Sequence, residues 1–342
     1  MQKKNPAKRR PERLVVTLLS LLFLSTAVFA TVKYVFRAPE LDTDKPVVTP
    51  DGTASADADR TDTDEPDALG RTRRKYCYNI LVSGLDDDNG GSDTNILVRF
   101  DVPNKRIDLV SLPRDTLLHN EYRNNKLNFA YAKGGTELLM EQIENLLGIP
   151  VDFYVTVNLK GFIALVDQID GVDFDIPINM DYDDPYQDLH IHFTKGPRHL
   201  NGQEAMEVVR FRHNNDGTGY GTEDIGRIGT QQAFLKAVAK QLLQIGNVKN
   251  IPALVDIFYT YVKTDLTTGN LVWLGNEALN IGTENIHFAT LPGDGSGYYN
   301  KQSVYVLDAQ ATCDLVNEAL NPYNEALTLE DMDILVPCRD KE

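Results

Sequence analysis

Apolar and polar positions follow distinct periods along this chain, and each period predicts an element. Residues 78–85 form a short, mostly apolar run that ends at glycine and acids, the pattern of a buried strand. Residues 95–102 read as a second strand, and Pro103-Asn104-Lys105 turns the chain into a third at 107–112. Apolar residues recur at helical spacing over 128–147, and the pattern stops before Gly148-Ile149-Pro150. Farther on, 153–157 alternates as a strand, 161–169 reads as a helix, and 172–176 as a strand again. Helices are expected at 200–209, 225–243, 252–259 and 308–320, with one more strand at 286–291. Strands interleaved with helices predict an α/β fold, a three-layer α/β/α sandwich around one sheet. The tight turn between adjacent early strands makes that central sheet mixed and not purely parallel.

The N-terminal part follows another pattern. Lys3, Lys4, Lys8, Arg9, Arg10 and Arg13 form a basic cluster, and an uncharged run extends from Leu14 to Val32. Such a run, at ~1.5 Å per residue, spans roughly the 30 Å hydrocarbon core of a bilayer. The basic flank predicts a cytoplasmic N-terminus with the remainder outside. A cleaved signal peptide is the rival, because Val28-Phe29-Ala30 resembles a cleavage site; Lys33 and Arg37 follow the run like a stop. Either way the body is exported. The expected organisation is a cytoplasmic basic tail at 1–13, a transmembrane anchor at 14–36, an acidic disordered linker at 37–74 and an extracellular domain at 75–342. Cys313 and Cys338 could pair in an oxidising compartment, whereas Cys77 reads as a small core residue.

Charge narrows the function classes. The formal net charge of -16 argues against nucleic-acid binding, which needs a basic face, and no nucleic-acid-binding motif overrides it. Arginines at the ends of apolar segments therefore stand out. Asp86, Asp87 and Asp88 follow the first strand, and Asp93 opens the second, so Asp86 and Asp93 could share a cation at one sheet edge. Arg114 lies just past an apolar strand, after a proline that blocks further ladder pairing. Arg210 and Arg212 share a face if that segment is extended. Asp224, Arg227 and Gln231 fall on one face of a helix whose start could present backbone N–H groups to a phosphate. Taken singly, each feature also fits a solvated loop, a helix cap or a surface ion pair. Together they read as a metal-assisted pyrophosphate site. His190 and His192 alternate at a spacing that could bind a metal, but no third ligand is apparent, and they read as surface residues.

Several of these segments, in order, resemble the LytR-CpsA-Psr family. They are Ser92-Asp93-Thr94-Asn95-Ile96-Leu97, Ser111-Leu112-Pro113-Arg114-Asp115-Thr116, Lys126-Leu127-Asn128-Phe129-Ala130-Tyr131 with Gly134-Gly135, Gly171-Val172-Asp173-Phe174-Asp175, Leu200-Asn201-Gly202-Gln203-Glu204-Ala205, Val209-Arg210-Phe211-Arg212 and Asp224-Ile225-Gly226-Arg227-Ile228. The resemblance runs from about Cys77 to Leu243 and more weakly through Leu291-Pro292-Gly293 and Ser303-Val304-Tyr305. It implies a membrane-anchored domain that transfers a glycopolymer from a polyprenyl-pyrophosphate carrier to peptidoglycan during cell-wall assembly. Asp86 and Asp93 would hold Mg²⁺, with Asp87 and Asp88 as competing first ligands. Arg114, Arg210, Arg212 and Arg227 would clamp the pyrophosphate, with Asp224 and Gln231 close by. An acceptor hydroxyl would attack the sugar carbon or the phosphorus of the carrier-linked polymer. Two alternatives use the same residues: a polyprenyl-pyrophosphate pyrophosphatase and a non-catalytic lipid-binding regulatory protein.

Overall fold

The computed structural model describes residues 36–41, 66–67, 69–85, 91–186, 189–220, 223–244 and 257–336, with two short paired segments at Val47–Val48 and Ala54–Ser55. All of the expected membrane anchor but Phe36, most of the linker, Asp86 to Asp88 and Cys338 lie outside the described residues. Among the described residues no helix is long and apolar enough to cross a membrane.

Three consecutive strands build the centre: β1 (Cys77–Leu85), β2 (Ser92–Asp101) and β3 (Arg106–Leu112), paired antiparallel. Helix α1 (Leu127–Leu147) then leads to β4 (Phe153–Asn158), which lies parallel to β1. Two further strands complete the sheet, β9 (Val262–Thr264) antiparallel to β4 and β10 (Ile286–Thr290) parallel to β3, with helix α5 (Thr268–Ile281) between them in sequence. The six-stranded order is β9-β4-β1-β2-β3-β10. The sheet is mixed, as the tight turn predicted.

Both faces of the sheet are covered, which is why its strands are apolar almost throughout. Leu81, Leu97 and Val110 pack with Leu139, Ile143 and Leu146 of α1 and Val316 of α6 (Ala309–Ala319). Tyr78, Ile80, Phe100 and Ile107 pack on the other face with Leu274 and Ile281 of α5. Cys77 is fully buried, as a core residue should be.

A second core lies beside the sheet. It is built by α2 (Leu159–Gln168), α3 (Gly202–Arg210), α4 (Glu223–Gln244) and two hairpin-like pairs. One pair joins β5 (Val172–Ile176) to β8 (Gly196–Leu200); the other joins β6 (Met180–Asp184) to β7 (Leu189–Phe193). A last hairpin, β11 (Gly293–Tyr299) with β12 (Gln302–Leu307), precedes α6.

Two segments assigned to the linker instead pack on the domain. Asn270 donates to the Arg37 carbonyl at 3.1 Å, and the Tyr78 hydroxyl donates to the Pro39 carbonyl at 3.0 Å. Arg71 pairs with Asp67, Arg73 with Asp152 at 2.5 Å and Arg74 with Asp101 at 2.8 Å. Polar composition there means ion pairs, those of Arg73 and Arg74 being supplied by the domain. The expected helix over 252–259 is described only from residue 257 onward, where it is helical.

Candidate functional site

The C-terminal ends of β1, β3, β4 and β10 and the start of β2 meet at one edge of the sheet, the position where open α/β sheets hold ligands. Pairing of β2 with β3 places Asn95 opposite Leu112. Continued two residues past the ladder, that register sets Asp93 against Arg114. The ion pair follows directly: Arg114 Nη1 donates to Asp93 Oδ1 at 2.5 Å. The β1–β2 ladder passes from Gly84–Thr94 to Leu85–Ser92, leaving Asp93 as the extra residue of a bulge. Bulges re-aim side chains and recur beside active sites. Here it turns Asp93 out to solvent, while Ser92 stays fully buried.

The backbone after Arg114 is held from both sides. The Arg114 carbonyl accepts from Asn128 N at 2.9 Å, and the Asp115 carbonyl accepts from Tyr305 N at 2.8 Å. Asp115 Oδ1 lies 3.3 Å from Lys126 Nζ and 3.6 Å from Arg114 Nε. Helix α1 starts here and breaks two turns later at Gly134-Gly135, where Gly135 has φ +69°. Only glycine adopts that conformation without strain, so the pair lets the first turns lie along the sheet edge while the rest packs on its face.

Helix α3 ends at Arg210, and Phe211 takes an extended conformation at its cap. Phe211 is fully buried, which leaves its neighbours Arg210 and Arg212 on the outward side; Arg212 is exposed. The expected extended Arg-Phe-Arg therefore begins one residue late, with Arg210 still helical. Among the described residues Arg212 makes no side-chain hydrogen bond or ion pair.

Tyr220, which the sequence did not single out, locks this segment to the next helix. Its ring meets Phe211 edge-on at 5.6 Å, and it packs so closely on Gly226 that a Cβ there would stand 2.3 Å from the Tyr220 Cβ. Glycine at 226 thus sets how near Arg227 comes to the Arg-Phe-Arg segment. Burial raises the pKa of the Tyr220 phenol, against the opposing pull of the Thr230 hydroxyl and the Arg227 charge. Asp224 stands in the first turn of α4, and its side chain lies outside the described residues, as does Asp86.

Gln231 and Gln232 join the two halves of the site. Gln231 Nε2 donates to the Val209 carbonyl at 3.2 Å, beside the arginine pair. Gln232 Nε2 reaches the Ala289 carbonyl and Thr290 Oγ1, each at 2.7 Å, and Ser111 Oγ at 3.4 Å. Gln231 is thus engaged by backbone, a positioning contact, and Gln232 is a tie the sequence analysis missed. Its signal was weak, since an amide in a helix carries no chemistry until its partners are known.

The structure thus supports an α/β domain whose sheet edge presents a carboxylate and a guanidinium beside a second arginine-bearing segment. The chain belongs to the LytR_cpsA_psr family, whose model matches residues 47–321. It is 32% identical over 252 residues to the Bacillus subtilis (strain 168) polyisoprenyl-teichoic acid–peptidoglycan teichoic acid transferase TagV, a match covering 70% of this chain and 62% of that protein. The transferase TagU of Bacillus cereus is 32% identical over 244 residues, covering 70% of this chain and 76% of the relative. The crystal structure of B. subtilis TagV superposes with a TM-score of 0.62 at 27% identity, covering 77% of this chain and all of that one.

Proposed function

We propose that this protein is a glycopolymer transferase that moves a polymer from a polyprenyl-pyrophosphate carrier to peptidoglycan outside the cytoplasmic membrane, anchored by its N-terminal apolar segment. The observation that carries this reading is the Asp93–Arg114 pair at the strand-end edge, with Arg212 exposed on the neighbouring segment and without a partner among the described residues. A guanidinium that no carboxylate saturates is available to phosphate oxygens. The names of the relatives TagV and TagU point to the same class of substrate.

In this reading the arginines do the electrostatic work. Arg114, Arg210, Arg212 and Arg227 bind and orient the pyrophosphate, and they meet the negative charge that grows on its oxygens as the acceptor hydroxyl attacks. Attack at phosphorus releases polyprenyl phosphate; attack at the sugar carbon releases polyprenyl pyrophosphate. Asp224, at the start of α4, takes the hydroxyl proton. Asp93 fits a Mg²⁺ ligand, because Arg114 occupies only Oδ1 and no described residue engages Oδ2. One or two carboxylates with phosphates and water suit that ion, and Asp86 would be the second. Bound there, Mg²⁺ would neutralise pyrophosphate charge.

The test uses the full chain in detergent with a synthetic polyprenyl-pyrophosphate saccharide, Mg²⁺ and peptidoglycan fragments. A joined sugar–peptidoglycan product that is lost in Asp93→Ala and Arg212→Ala is the expected result. Carrier cleavage without joining would replace this reading by hydrolysis, and binding without cleavage would replace it by a carrier role. Identification of the released lipid as mono- or pyrophosphate assigns the bond that breaks.

A further inference from the structure

We infer that the β6–β7 hairpin carries a transition-metal site, formed by His190, His192 and Asp183 and separate from the Asp93–Arg114 edge. The sequence showed two histidines two residues apart and no third ligand. Pairing supplies it. Asp183 lies directly opposite His190, and Asp181 opposite His192. Side chains alternate across a strand, so all four project from one face while Met180, Ile191 and Phe193 enter the core from the other. The result is two adjacent cross-strand His–Asp pairs on the solvent face.

The details favour a ligand set over a pair of surface salt bridges. His190 Nδ1 lies 2.5 Å from Asp183 Oδ1, and His192 Nε2 lies 3.4 Å from the same atom. The three donor atoms fall within 4.8 Å of one another. Ligands at about 2.0–2.1 Å from a tetrahedral zinc ion stand roughly 3.3 Å apart. The His192–Asp183 separation already matches that spacing, and His190 needs a shift of under about 1 Å to reach it. The remaining nitrogen of His192 is also accounted for: Nδ1 lies 2.8 Å from Asp181 Oδ1. A carboxylate behind a histidine fixes its tautomer and turns the other nitrogen toward a metal, one of the recurring supports of metal-bound imidazoles. Two imidazoles with one carboxylate select zinc, cobalt or nickel over magnesium.

The hairpin is also held firmly from behind. Asp181 N donates to Asn214 Oδ1 at 2.7 Å, Asp183 N to Asn215 Oδ1 at 3.3 Å, and Asn215 N to the Asp181 carbonyl at 3.1 Å. Those asparagines begin two residues after Arg212. Metal binding on the hairpin would therefore stiffen the backbone that follows the exposed arginine.

Isothermal titration of chelator-treated full-length protein with Zn²⁺, in millimolar Mg²⁺, tests the assignment. The Mg²⁺ keeps the Asp93 edge supplied, so the readout does not depend on transfer activity. One equivalent of Zn²⁺ is expected to bind, and Co²⁺ in its place should give visible absorption of a nitrogen–oxygen site. His192→Ala or Asp183→Asn should abolish both signals, and Asp181→Asn should weaken binding by about 10–100-fold. Because all these side chains are exposed, melting curves of the metal-free variants should overlay that of the parent. Absence of binding, or unchanged stoichiometry and affinity in His192→Ala, overturns the site.

Discussion

Strands β2 and β3 carry arginines and aspartates at both of their ends, and the two ends behave oppositely. At the far end Arg99 donates to Asp108 at 2.7 Å, and both side chains are about 95% buried or more. Arg106 joins the same carboxylate at 2.7 Å, and Arg74 pairs with Asp101 at 2.8 Å. Arg74, Arg99, Asp101 and Arg106 line a cavity of about 380 Å³ with Asn317, Asn321 and Tyr323. At the near end the Asp93–Arg114 pair is partly exposed, and among the described residues neither the second Asp93 oxygen nor Arg212 has a partner. Concavity and arginine count would favour the far end as the site. Charge balance favours the near end as the candidate site, because Arg74, Arg99 and Arg106 already face Asp101, Asp108 and Glu318.

The sharpest way to break the comparison is Asp108→Ala. It strands the buried Arg99, and about 3–5 kcal/mol of stability should go with it. A thermal melt should show a fall on the order of 10 °C. An unchanged midpoint would mean that the far-end arginines are not structural.

Next in size is the near end. Arg114→Ala and Arg212→Ala should each lower turnover by about tenfold to a hundredfold, the loss of a charge-assisted contact of ~1.5–3 kcal/mol. Their melting midpoints should stay close to the parent's, since neither charge becomes buried and unpaired. Near-normal transfer in both variants would remove the clamp.

Gln232→Leu sharpens the picture of how the halves are joined. Loss of its contacts to Ala289, Thr290 and Ser111 should cost about 1–2 kcal/mol, with transfer reduced less than in Arg212→Ala. Turnover unchanged at saturating substrate would mean that α4 is placed by packing alone.

The smallest effect lies away from both ends. His199 on β8 bonds Asp173 at 2.8 Å, and that hydrogen bond raises the histidine pKa. A raised folded-state value favours the protonated form, so the contribution is complete below the unfolded value of about 6.5 and disappears as pH rises through the folded one. His199→Gln should therefore destabilise slightly near pH 5.5 and not at all near pH 9 in paired melts. Equal losses at both pH values would assign the effect to packing.

The sequence made the sheet legible because burial on both faces leaves long apolar runs, and 78–85, 95–102 and 107–112 lie within a few residues of the observed strands. The β6–β7 hairpin escaped notice because one face is Asp-Asp and His-His, so only half of each strand carries apolar signal. In β11 three glycines remove the side chains on which a strand pattern depends. For the site, Asp93, Arg114 and the arginine pair were legible from their places beside strand and helix ends. Tyr220 and Gln232 were not, because each acts through a partner distant in sequence: Tyr220 through the space left by Gly226, Gln232 through the ends of β3 and β10. His190 and His192 are exposed, as the sequence led one to expect, but Asp183 reaches them only through strand pairing, which spacing along the chain does not reveal.

The turn at Pro103-Asn104-Lys105 acts as a phase control for chemistry at the opposite rim. Lys105 closes it in the left-handed region at φ 50°, and the turn's length, with the apolar pattern of the strands, fixes which residue of β3 faces which of β2. Eight residue steps along the strand separate Asp101 from Asp93, about 27 Å at ~3.4 Å each. One residue added to the turn would slide β3 by a single step and rotate every side chain to the other face. Arg114 would then be lost to Asp93 outright, whereas a two-residue insertion would restore the facing but set Asp93 against a different neighbour. Variation in length at that distant corner is thus digital in its effect, and alternating loss and partial recovery across an insertion series would be its signature.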